Sequence, residues 1–148
     1  MKVFLLGLMM IFAEPALAHD GGHGPKLTEA AKNGGVLAPV IRASDVKAAS
    51  KATVLYKAEL VRSEDGGITV YLYDSEMKPL SLAGFQKNAK ADLEFKKKRK
   101  WVKLPFELTL EGETFKGKAP TPPQKPFNID VHLNDGKESL LVAFDRLD

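Results

Sequence analysis

Residues 127–145 read FNIDVHLNDGKESLLVAFD, and the spacing inside this stretch decides the fold. Successive side chains of a strand point to opposite faces. Phe127, Ile129, Val131 and Leu133 therefore share one face, while Asn128, Asp130, His132 and Asn134 share the other. The sequence Asn134-Asp135-Gly136-Lys137 then breaks the alternation with residues that tolerate the left-handed backbone of a tight hairpin, and residues 138–145 resume as a second strand.

The same period of two recurs upstream. Val54, Tyr56, Ala58 and Leu60 face one way within residues 53–61; the run stops at Arg62-Ser63-Glu64-Asp65-Gly66-Gly67 before residues 68–73 begin. Residues 74–79 form a further turn, and residues 91–95 alternate. Phe106, Leu108 and Leu110 alternate with Glu107, Thr109 and Glu111, and a turn at Gly112 leads into residues 114–118. Residues 119–126 hold four prolines, which only an extended connection accommodates. Short strands between turn signals, with no long helical period and no crossover helix for a parallel sheet, predict an all-β, antiparallel fold. The expected architecture is a β-sandwich with an immunoglobulin-like layout.

The chain has 148 residues, 44% of them hydrophobic and 28% charged, enough for one domain to build a core without covalent staples. It contains no cysteine, which excludes disulfides, thiolate metal sites and cysteine nucleophiles. Its 22 basic residues stand against 19 acidic ones, a net charge of +3 that does not mark a nucleic-acid-binding polycation.

Lys2, the apolar run of residues 3–12 and the small-residue end Ala16-Leu17-Ala18 have the build of a secretory signal cleaved after Ala18. The run is too short to span a bilayer, so no transmembrane anchor is expected. The expected organisation is a signal peptide at 1–18, a flexible tail at 19–35 and a β-domain at 36–148, in a periplasmic or secreted protein. The tail, HDGGHGPKLTEAAKNGG, has five glycines and too little apolar surface to order itself beyond a helical turn or two over residues 27–32, ended at Asn33-Gly34.

Two clusters carry chemistry. If His19 becomes the amino terminus, its α-amine and imidazole chelate one metal ion, with Asp20, His23 and the outward-facing His132 as further ligands. Such nitrogen-rich sites suit Cu(II) best, with Ni(II) or Zn(II) behind it. The second cluster is Lys96, Lys97, Lys98, Arg99 and Lys100, followed by Trp101 and Lys103, a cationic run that attracts anions beside an aromatic ring suited to a half-wet interface. Structurally, the same run reads as a charged hairpin end or a guarded edge strand. The three histidines lack a nucleophile elbow, a phosphate loop or a helical ligand pair, and no enzymatic activity is expected.

A histidine-containing tail ending in Gly34-Gly35-Val36, a strand with Glu59-Leu60-Val61, and the segment Gly67-x-x-Val70-Tyr71-Leu72-Tyr73-Asp74 followed by Lys78-Pro79-Leu80 and Gly84 resemble a group of small exported bacterial proteins that accompany heavy-metal, especially copper, efflux systems. Where members of that group often carry a histidine before the paired glycines, this chain has Asn33. An amino-terminal histidine also resembles periplasmic copper carriers of the β-sandwich type. The resemblance implies a non-catalytic accessory protein that binds a divalent metal and meets a metal-efflux component. The residues themselves leave open an envelope interaction module that meets an anionic surface or a protein through the basic segment and the sheet edges.

Overall fold

The computed structural model describes residues 24–148. Its strands are β1 (Val36–Arg42), β2 (Tyr56–Arg62), β3 (Gly67–Tyr73), β4 (Asn88–Lys97), β5 (Lys100–Glu111), β6 (Thr114–Lys118), β7 (Phe127–Asn134) and β8 (Ser139–Leu147). A 3-10 segment, Ala43–Lys51, follows β1. The strands pair in the order β1-β2-β3-β6-β5-β4-β7-β8. β8 then pairs back onto β1, with Val40 opposite Val142 and Ile41 opposite Leu141, and the sheet closes.

The expected immunoglobulin-like sandwich is thereby corrected to a closed antiparallel barrel. Alternation of inward and outward side chains is common to both architectures, so the pattern in residues 127–145 is equally compatible with either. What separates them is the pairing of β1 with β8, a contact between the two ends of the domain that leaves no periodic trace in the sequence.

The barrel is built from two meanders, β1-β2-β3 and β4-β5-β6, the second inserted in reverse so that β6 lies beside β3. Neighbouring strands are antiparallel throughout, so the β3–β4 connection and the proline-rich β6–β7 connection cross opposite ends of the barrel. The inward positions read from the sequence form the core: Ala58, Leu60, Leu93, Leu108, Phe127, Ile129, Val131 and Leu133 are buried, together with Phe115 and Phe144. Each large apolar side chain removed from water contributes about 1.5–3 kcal/mol.

The described part of the expected tail lies on the barrel, fastened by one carboxylate. Glu59 is fully buried on β2 and accepts from the backbone N–H of Lys32 (3.1 Å), Asn33 (2.7 Å) and Gly35 (2.9 Å), from Asn33 Nδ2 (3.1 Å) and from the Tyr73 hydroxyl (2.8 Å). Gly35 passes so close to β2 that a Cβ would sit 2.2 Å from the Leu60 carbonyl oxygen, which leaves room only for glycine. Gly34 takes the left-handed conformation expected of it (φ 72°), but no helix precedes it. Lys57 pairs with Glu29 further along the strap.

Burial works to raise the pKa of Glu59, but the donors from Gly35, Tyr73 and Asn33 outweigh it and hold the carboxyl below its ordinary value. A depressed carboxyl stabilises the fold above its unfolded pKa, near pH 4, and that stability is lost as pH falls through the folded value. At neutral pH Glu59→Gln is expected to lower stability by about 2–3 kcal/mol, and the two proteins should converge in acid. Urea unfolding as a function of pH checks this; curves that stay parallel down to acid would show that the clamp does not depend on the charge.

Candidate interaction site

The cationic run forms the turn of the longest hairpin. β4 and β5 pair from Asn88 opposite Thr109 to Lys97 opposite Lys100. Their other neighbours are shorter: β7 pairs with β4 over Lys90 to Glu94, and β6 pairs with β5 only over Leu108 to Glu111. The tip of the hairpin therefore extends past the strands on either side, with Lys96, Lys97, Lys98, Arg99 and Lys100 all exposed. Among the described residues no acidic side chain pairs with any of these five. The structural alternative read from the sequence, a charged hairpin end, describes their position.

The two residues of the turn, Lys98 (φ 48°) and Arg99 (φ 66°), are both left-handed. A two-residue hairpin of this kind favours Asn-Gly, because side chains with a Cβ are strained there. The position that most favours glycine is thus filled by an arginine. Trp101 stands opposite Lys96 and is half-buried; the Gln124 side chain donates to the Lys96 carbonyl and braces the hairpin against the proline-rich connection.

Lys103 does not belong with the tip. It pairs with Glu94, whose side chain is fully buried on the outward side of β4. Its ammonium is held above the ordinary lysine range, first by the hydrogen bond to Glu94 and further by Asp130 and Asp92. Lys103 is the counter-charge of an acidic row that runs along β4 and β7. Alternation in residues 91–95 puts Asp92 and Glu94 outward, but only the β4–β5 register sets Lys103 opposite Glu94.

His132 lies at the end of that row, exposed on β7, with Nε2 3.4 Å from Asp92 Oδ2. The two line a cleft of about 590 Å³ with Lys90, Pro105, Phe106 and Glu107. His19, Asp20 and His23, like the expected signal at 1–18, lie outside the described residues. The first described residue, Gly24, sits against Pro39 and Ile41 of β1. Ile41 pairs with Leu141, and Leu141 with His132, so the chain enters the described structure two strand spacings, about 10 Å along the sheet, from His132. Among the described residues no three histidine, aspartate or glutamate side chains are grouped to hold a metal ion.

β5 pairs with β4 along its length but with β6 only over Leu108 to Glu111 among the described residues. The inward side chains Val102, Leu104 and Phe106 stay half-exposed, whereas Leu93 and Phe95 across the hairpin are buried. No described helix is long and apolar enough to cross a membrane. Comparison of the chain with protein-family models, curated proteins and solved structures finds no match.

Replacing the strained turn by Lys98→Asn together with Arg99→Gly is expected to raise stability by about 1–2 kcal/mol. Urea unfolding of the double variant measures it. An unchanged or lowered midpoint would mean that the turn carries no strain.

Proposed function

We propose that the protein is a non-catalytic binding module of the cell envelope that takes an anionic partner on the cationic tip of the β4–β5 hairpin. The observation that carries this reading is the turn itself: five exposed cations without acidic partners among the described residues, two of them at left-handed positions where glycine and asparagine are favoured. The charge is kept there at a cost in stability. Lys103 is excluded from the binding set by its pairing with Glu94.

Binding to phosphatidylglycerol vesicles or to polyaspartate should weaken at least tenfold in the triple variant Lys97→Gln, Lys98→Gln, Lys100→Gln. It should also weaken as salt is raised, because exposed charges are screened beyond about 8 Å at physiological ionic strength. Equal binding by the two proteins would reduce the tip to a solvated guard of the sheet.

A second reading keeps the metal: a periplasmic accessory protein that binds Cu(II) through the α-amine and imidazole of His19, with His23, Asp20 and His132, and passes it to an efflux component. What supports it is the entry of the chain at Gly24 on the face of the barrel that carries His132 and Asp92. These ligands must lose protons before they coordinate, so affinity should fall as pH drops through about 6.5. Calorimetric titration of protein that begins at His19, against the same protein with one extra leading glycine, tests the chelate. Equal copper affinities would remove this reading.

A further inference from the structure

We infer that the end of the barrel beside the hairpin tip is a binding pocket for an anionic amphiphile, with one alkyl chain lodged in the barrel mouth and the charged head held by the tip. This inference rests on the proposal that the tip takes an anionic partner, and it names the chemical class of that partner.

The pocket is a cavity of about 250 Å³. Among the described residues it is bordered by the β2–β3 turn, through residues 62–66, and by the proline-rich connection, through residues 119–122. Ile68, Leu93, Phe127 and Ile129 form its floor, and all four belong to the buried core. An eight-stranded barrel has an interior just wide enough to be filled by side chains or to hold one small ligand. The space left at this end exceeds the roughly 150 Å³ that takes a benzene ring, and on the same scale it holds about eight to ten carbon atoms.

The chemistry of the floor specifies the part of the ligand that enters. Its four side chains carry no polar atom, so a peptide or a sugar laid on them would leave polar groups without partners. An alkyl chain has no such groups to leave.

Charge places the head. The cavity and the tip share one wall: Pro120 and Pro122 line the cavity, and Gln124, two residues on, donates to the Lys96 carbonyl. β4 runs from Leu93 on the floor to Lys97 at the tip in four residues, about 13 Å. The acidic groups of the mouth belong to the β2–β3 turn, across from the tip. Asp65 there is directed into its own turn, accepting from the Gly67 N–H (3.1 Å) and the Ser63 hydroxyl, with Glu64 beside it. Arg62 lies over the Phe127 ring, 5.1 Å from its centroid, and donates to the Asp148 carbonyl oxygen (2.6 Å). A negative head is thus repelled from the turn and drawn to the five cations of the tip.

The test titrates the full chain with butyl, hexyl, octyl and dodecyl phosphate below their micelle concentrations, with phenyl phosphate and octyl glucoside as controls, and methyl NMR locates the contact. Affinity is expected to rise about fourfold per methylene from butyl to octyl and to level off beyond about ten carbons. The methyl signals of Ile68, Leu93 and Ile129 should shift. Ala119→Leu, which fills the cavity from its wall, should weaken octyl phosphate binding at least tenfold; if that variant fails to fold, the length series on the unaltered chain decides. Affinity independent of chain length, or methyl shifts confined to other parts of the chain, overturns the pocket while salt-sensitive polyaspartate binding keeps the tip. Equal affinity for octyl glucoside overturns the anionic head, and tighter binding of phenyl than of octyl phosphate overturns the alkyl chain. Failure to bind alkyl phosphates, polyaspartate and anionic vesicles overturns both this inference and the proposed function beneath it.

Discussion

Three residue pairs hold the barrel shut. Val40 opposite Val142, Ile41 opposite Leu141 and Arg42 opposite Leu140 join the first strand to the last. An open sheet of eight strands would present two unpaired edges, and each unpaired edge is a template for association. Closure removes both and lets inward side chains from opposite walls meet in one core. The strap over residues 24–35 crosses this region: a cleft of about 680 Å³ is lined on one side by Gly24 to Ala31 and on the other by Val36–Pro39 and residues 143–145. The segment before β1 is thus laid over the closing seam, and Glu59 holds it there.

Two buried glutamates show different solutions to one electrostatic problem. Taking a carboxylate out of water is costly unless donors or a counter-charge replace the water. Glu59 is answered by five donors, three of them backbone N–H groups of the strap, so its charge fixes a chain segment in place. Glu94 is answered by the ammonium of Lys103, whose side chain stays half in solvent. The first arrangement determines a conformation. The second ties β4 to β5 on the outer face and withdraws one lysine from the cationic cluster that the sequence had grouped together.

The β4–β5 hairpin concentrates features that local preferences disfavour. Its turn is made of lysine and arginine in left-handed conformations, its second strand loses one neighbour over most of its length, and three apolar side chains stay half-exposed there. Left-handed residues other than glycine also occur at Ala49, Met77 and Arg146, whereas at Asp135-Gly136 local preference is met, with Gly136 at φ 87° in the β7–β8 turn.

The sequence by itself determined most of the strands, though not β1 or the first part of β5, together with their inward faces and most of their turns: Phe127, Ile129, Val131 and Leu133 are buried as their spacing requires, and β6 has the bounds its flanking turns imply. It left the five cations as either a hairpin end or a guarded edge strand, and the β4–β5 pairing makes them a hairpin end. Periodicity is a local property and is legible residue by residue. Tertiary structure alone decided that the sheet closes rather than splits into two layers, that Asn33 and Gly35 reach Glu59, that Lys103 belongs to Glu94, and that β6 meets β5 only over Leu108 to Glu111. Each of these depends on which distant strands become neighbours and how far their registers overlap. Strand pairing is specified by the summed fit of the whole barrel, and no single stretch of sequence contains it.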